Sequence, residues 1–341
     1  MRRSAVVVLV LGIGIAPAPA DAIADILGQA TIAQYQSYLR VLTGVDPVTT
    51  DPPYCLTNRY SLGSDAALAG NWITDQFASY GLNVTQEWFH TLHAPNIVAD
   101  LPGTTRPDDI YVICAHYDTW HEMNQLLAPG CDDNGSGTSA VLLAAKILSQ
   151  FQFAGTLRFI TFAGEEEGLL GSARYVSTHY GENFVATINL DMILHPGWDN
   201  VDPDPDYDLD IGVNGPSAWL GQYLVAQFNQ YTSIDVETWN DTYGNSDHGS
   251  FWSYDYQAIR FGEHTTPENW YMHTNDAYHQ LTDTMDNPDY DYEFGIEVVR
   301  GGMAGLIGLA GLVPEPGSLL LLALGGIMIR ARRAARCVAW S

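Results

Sequence analysis

His116, Asp132, Glu166, Asp191 and His273 are spread over more than 150 positions, yet each sits in a short context suited to holding a cation: AHYDT (115–119), GCDDNGSG (130–137), GEEEGLLGS (164–172), NLDM (189–192) and MHTND (272–276). Two imidazoles and three carboxylates supply the nitrogen and oxygen donors that two zinc ions sharing one carboxylate require, with room left for water. Asp132 is read as the shared carboxylate. Glu165, beside Glu166, is free to act as a base. Asp118, two residues after His116, can hold the other ring N–H and fix the tautomer. Taken singly, each residue has an ordinary explanation: a capped strand end, a turn before a helix, a charged helix start. Taken together and in order, they point to metal-assisted hydrolysis.

Such a set can meet only if strand ends are gathered at one edge. The pattern predicts helices over Asp21–Leu42, Ala66–Tyr80 (stopped by Gly81), Thr138–Phe151, Ser217–Tyr231 and Tyr292–Leu312. Strands are predicted over Leu82–Phe89, Asn96–Leu101, Asp109–Ala115, Leu157–Phe162, Phe184–Leu190, Leu209–Val213 and Ala258–Phe261. Strands alternating with helices imply an α/β fold, a three-layer sandwich around a mixed, mostly parallel sheet, in a single catalytic domain. Three of the candidate ligand segments follow the strands ending at Ala115, Phe162 and Leu190. That is the carboxyl edge, where open α/β sheets place their sites. Two acidic stretches, Asp199–Asp210 and Asp283–Asp291, lack the spacing of a calcium loop and read as solvated loops.

The 341 residues carry a net charge of −26. Six of the 14 basic residues lie at the termini, leaving eight against 39 acidic residues between Asp21 and Val313. Such a surface repels polyanions, and no nucleic-acid partner is expected. The start, Met1-Arg2-Arg3, then the apolar run Ala5–Ile15 and Ala18-Pro19-Ala20, has the three parts of a secretory signal peptide over residues 1–20. The end, residues 314–341, has Pro314-Glu315-Pro316, an apolar Ser318–Ile329 and an arginine cluster reaching Arg336. This order resembles a PEP-CTERM sorting signal. It implies export, transient membrane association through the tail, a sorting and processing enzyme as partner, and release or retention at the cell surface or outer membrane. Between the two lies one domain with a substantial core, residues 21–313. Of the four cysteines, Cys337 lies in the tail and Cys114 in a strand-like run, which leaves Cys55 and Cys131 as an expected disulfide pair.

From about Gln34 to Leu312 the chain resembles the co-catalytic zinc aminopeptidases of metallopeptidase family twenty-eight, the bacterial leucyl-aminopeptidase-like group. The resemblance rests on the five contexts above together with Tyr243, three residues before Ser246-Asp247-His248. It implies one zinc held by His116 and Asp191, a second by Glu166 and His273, and a bridge at Asp132. It also implies Asp118 orienting His116, Glu165 as general base, Tyr243 as an oxyanion-stabilising phenol, and a cis peptide at Asp132–Asp133. The substrates would be peptides cleaved at their N-termini. The loop DTYGNSDH lacks the two cysteines that some secreted relatives carry around this tyrosine. Other hydrolase signatures fail: after His121-Glu122 position 125 is Gln, and a serine elbow would need Gly at His248. A glutaminyl-cyclase-like transferase, which shares the fold, and a non-catalytic surface-binding protein are the alternatives. A full ligand set with a spare base argues against both.

Overall fold

The computed structural model describes residues 20–121, 123, 126–196, 208–263 and 275–314. The expected signal peptide, apart from Ala20, and the sorting tail beyond Pro314 lie outside the described residues, as does His273. The N-terminal helix expected as one piece is two, α1 (Ala20–Leu27) and α2 (Ile32–Leu42). The chain breaks after Leu27 at Gly28, and Thr31 caps α2 by accepting from the Gln34 N–H at 3.3 Å. The Pro- and Thr-rich segment that follows holds two short antiparallel strands, β1 (Thr49–Thr50) and β2 (Pro53–Tyr54). Then come α3 (Ser64–Ser79), β3 (Asn83–Glu87), β4 (Asn96–Leu101) and β5 (Arg106–His116). An irregular turn, Cys131–Ser136, leads into α4 (Gly137–Leu148), followed by β6 (Gly155–Phe162), α5 (Leu170–Thr178) and β7 (Asn183–Leu190). The chain continues through β8 (Asp208–Val213), α6 (Ala218–Tyr231), β9 (Asp235–Asn240), α7 (Asp247–Trp252), β10 (Ala258–Gly262) and α8 (Tyr292–Ala310).

The eight larger strands form one mixed sheet in the order β3-β4-β6-β5-β7-β10-β8-β9. The central strands β6, β5, β7 and β10 run parallel, while β3, β4 and the β10/β8 pairing are antiparallel. Helices α1–α4, α6 and α8 bury one face of the sheet. Helices α5 and α7 cover the other, packing Tyr175, Val176 and Phe251 on Val112, Ile160 and Phe162. With both faces covered, the central strands are buried over most of their length and read as mainly apolar runs, not as alternating ones. The expected three-layer sandwich is therefore the observed fold.

Strand β5 lies between β6 and β7, so the crossovers through α4 and α5 leave toward opposite sides of it. The crevice opened at that switch point collects the loops after β5, β6 and β7.

Candidate metal centre

Each strand of the central trio ends in an acid or histidine. His116 is the last residue of β5, Glu165 and Glu166 follow β6 by one short turn, and Asp191 directly follows β7. The fourth element is the turn Cys131–Ser136, which reaches the crevice because α4 starts there with almost no clearance. A Cβ on Gly137 would lie 2.5 Å from both Asn134 Oδ1 and the Leu190 carbonyl.

In this turn the structure corrects the sequence-based assignment by one residue. Asp133, rather than Asp132, faces the histidines. Its Oδ1 lies 3.4 Å from His116 Nε2 and its Oδ2 3.1 Å from His279 Nε2. Asp191 Oδ1 flanks the first histidine at 3.4 Å, and Glu166 Oε2 flanks the second at 3.0 Å. Asp132 is fully buried and points elsewhere. Its Oδ1 accepts the Leu194 N–H at 2.9 Å and its Oδ2 accepts from Asn275 Nδ2 at 3.1 Å, so it fixes the turn. The cis peptide shifts by the same step, to Asp133–Asn134.

His279 was not singled out by sequence reading. It is placed by a stretch anchored at Asp283, four residues later, whose carboxylate accepts the N–H groups of Asp132 at 2.8 Å and Asp133 at 3.1 Å. Asp283 is therefore buried, contrary to its reading as part of a solvated loop. Its other partner is the Tyr290 hydroxyl, which donates to Oδ1 at 2.6 Å.

The electrostatics of this cluster are those of a site that needs positive charge. Burial, reinforced by Asp133, pushes Glu166 up to about 8. Burial also raises Glu165 well above the usual carboxylate range, with Glu166 and Asp191 adding to the effect. Burial works against protonation of the histidines, yet the surrounding carboxylates win: His116 is held well above its ordinary value and His279 at about 10. Three buried atoms of the cluster, Asp133 Oδ2, Glu166 Oε1 and His279 Nε2, make no hydrogen bond. Asp133 Oδ2 and His279 Nε2 are 3.1 Å apart but are not aligned as donor and acceptor. Buried polar atoms left unpaired are costly, and lone pairs converging without hydrogen bonds are what cation ligands present. The donor set of imidazole nitrogens and carboxylate oxygens fits zinc. Among the described residues, two ligand groupings meet the spacing for an ion: His116, Asp133 and Glu166, and His116, Glu165 and Asp191.

Around the cluster, Asp118 lies under the turn after β6. Its two oxygens accept the backbone N–H groups of Glu165 and Glu166, each at 3.3 Å. Its Oδ1 is also 3.7 Å from His116 Nδ1, and its carbonyl 3.3 Å from that nitrogen. Glu167, third in the acidic triplet, turns away to accept from the Ser61 hydroxyl. Arg59 is wholly buried, and its guanidinium donates to the backbone carbonyls of Tyr117, Leu42, Pro129 and Gly130 at 2.5–2.8 Å. One guanidinium thus ties the loop after His116 to the loop before Asp133. Sequence reading had no signal for it, because its partners are carbonyls.

Tyr243 is on the loop between β9 and α7 and is 58% exposed. It lines a surface cavity of about 470 Å³ with Gly168, Leu169, Trp252 and Tyr254. That cavity adjoins the Glu165 turn, since the N–H groups of Gly168 and Leu169 both donate to the Glu165 carbonyl at 2.8 Å. The expected Cys55–Cys131 bond is absent. Cys55 is an exposed thiol, whereas Cys131 is buried in the main core against Tyr292.

Comparison with known proteins places the chain among peptidases. A relative named "Probable leucine aminopeptidase" from Trichophyton verrucosum is 26% identical over 270 residues, spanning 74% of this chain and 70% of the relative. A "Probable zinc metalloprotease" from Pyricularia oryzae is 27% identical over 286 residues, spanning 73% of this chain but 56% of the relative. Among solved structures, the Legionella pneumophila LapA aminopeptidase superposes with a TM-score of 0.71 at 21% identity, covering 90% of this chain and 79% of that one. A glutaminyl cyclase from Macrostomum lignano reaches 0.65 at 14% identity, covering 89% and 96%, so the fold alone does not separate the two chemistries. The family model for Peptidase family M28 matches residues 96–293, a span that takes in every residue of the cluster. The chain belongs to peptidase family M28.

Proposed function

We propose that the chain is a zinc-dependent aminopeptidase that holds two zinc ions and removes N-terminal residues from peptides. The observation that carries this is Asp133, which offers one oxygen to His116 and the other to His279. His116 and Asp191 would hold one ion, His279 and Glu166 the other, and Asp133 would be shared. Bound zinc supplies Lewis acidity, polarising a carbonyl and making water a nucleophile near neutral pH. Glu165, beside His116 and Asp191, takes a proton from the attacking water and passes it to the leaving amine. Its burial raises its proton affinity, which suits a group that must be base first and acid second. Tyr243 donates a hydrogen bond to the oxyanion that develops on the scissile carbonyl. A free substrate α-amine bound among these carboxylates restricts cleavage to the first residue.

A panel of aminoacyl anilides, with N-acetylated and N-terminal glutaminyl peptides as controls, tests the reading. Leucyl and other apolar anilides should be hydrolysed, chelator should abolish turnover, and N-acetylated peptides should be inert. Cyclisation of the glutaminyl peptide without any hydrolysis would assign the chain to the transferase reading instead.

We further propose that residues 1–20 direct export and that residues 314–341 are a sorting tail, removed by a processing enzyme at the membrane. The chain Asp21–Val313 should then fold, bind zinc and keep full turnover. Loss of turnover on removing the tail, with full-length protein active in detergent, would tie the tail to the catalytic domain.

A further inference from the structure

We infer that Asp241 and His248 form a buried clamp that positions Tyr243, a proposal that rests on the oxyanion role given to Tyr243 above. Tyr243 lies on residues 241–246, which join the end of β9 to the start of α7 and contain no cysteine. Its ring is largely exposed, and the backbone that carries it sets the direction in which the phenol leaves the loop.

That backbone is tied down by a single carboxylate. Asp241 Oδ1 accepts the N–H groups of Tyr243 at 2.9 Å and Gly244 at 3.2 Å. The same group's Oδ2 accepts from His248 Nε2 at 2.9 Å, in the first turn of α7. Asp241 is 2% exposed and His248 fully buried. The Asp241 N–H in turn donates to the Val213 carbonyl at 2.9 Å, which anchors the clamp to the end of β8. The edge-on ring of Trp252 holds the imidazole from the side, with centroids 4.5 Å apart. Gly244 takes φ +59°, and a Cβ on Gly249 would come within 2.1 Å of the Gly244 carbonyl. The loop therefore lies directly on α7, and the hydrogen-bonded pair does the fastening that a covalent cross-link could do. Asp241 and His248 act through Tyr243. They are positioning residues.

The test is a mutant cycle on the zinc-loaded enzyme, with zinc content and thermal unfolding measured for every variant. Tyr243→Phe should lower kcat by about 10²-fold, the scale for one oxyanion donor. His248→Leu should lower kcat about tenfold or more with KM little changed, and His248→Gln, which retains a side-chain N–H, should recover part of that loss. In the Tyr243→Phe background His248→Leu should cost less than about twofold, because residues that act through one group are not additive. If His248→Leu folds poorly, the milder Asp241→Asn enters the same cycle with the same expectation. Unchanged kcat in the single variants, or a clamp loss that carries in full into the Tyr243→Phe background, overturns the clamp alone. Full turnover in Tyr243→Phe overturns the role of Tyr243 and the clamp with it. Glu165 and the zinc ligands would be untouched by that result.

Discussion

The one-residue distinction between Asp132 and Asp133 is sharp enough to test directly. Asp133→Asn replaces the carboxylate lying between His116 and His279 with a neutral amide. Removing one partner of a buried charge pair costs about 3–5 kcal/mol. At about 1.4 kcal/mol per factor of ten, zinc affinity should fall roughly 140- to 4000-fold. Asp132→Asn keeps one oxygen for the Leu194 N–H but turns an amide against Asn275 Nδ2, which now donates to that position at 3.1 Å. The expected cost is about 1–3 kcal/mol of stability for a buried donor left facing a donor. Zinc affinity should drop by about 10- to 100-fold, as for other partners that orient ligands. Zinc removed by chelator and returned against a chromophoric competitor gives both affinity and stoichiometry, and urea unfolding of the metal-free proteins gives stability. The structure requires Asp133→Asn to lose metal and Asp132→Asn chiefly to lose stability. The reverse, with Asp132→Asn failing to load and Asp133→Asn binding like the parent, would show that the turn is placed one residue out of register.

Three further outcomes follow from the same geometry. Glu165→Gln should retain the parent's zinc content yet lower kcat by about 10²–10⁴-fold, the range for a positioned general base, and near-parental turnover would remove Glu165 from that role. Metal-free protein should lose stability as pH rises from about 5 to 8, because burial raises Glu166 to about 8 and Asp283 and Asp247 to about 7. A raised folded-state value means that the folded chain holds protons the unfolded chain has released, so stability is present at the acid end and is lost toward pH 8. Thermal unfolding with chelator should show this slope and zinc should flatten it, so a flat metal-free profile contradicts the burial argument. Finally, native protein without reductant should alkylate at Cys55 and leave Cys114 and Cys131 protected until it unfolds; a Cys55-containing disulfide peptide would contradict the free thiols seen here.

What was legible in the sequence is what burial writes into local pattern. Strands β5, β6 and β7 are covered on both faces, so each reads as an apolar run, and the acid or histidine that follows marks the carboxyl edge. Helix α4 is legible for the same reason: of its twelve residues all but Lys146 are buried. The edge strand β9 was missed because its residues are mostly exposed or half-exposed and carry no such run. The registers at the site were less legible because they are set at long range. Two adjacent aspartates in GCDDNGSG are equivalent by composition; Asp132 and Asp133 part only because the Leu194 N–H and Asn275 claim one side chain and the two histidines claim the other. The same holds for His279, which lies outside any helix or strand and is placed by a stretch whose own anchor, Asp283, reaches back 150 residues to the turn at Asp133. A ligand that ends a strand can be read from that strand, whereas a ligand held by a loop depends on the loop's distant partners. The Tyr243 loop belongs to the second kind, since Asp241 and His248 are separated by seven positions in the chain and neither lies in an apolar run. Their pairing is fixed by the fold, which brings three donors from the loop and from α7 onto one buried carboxylate.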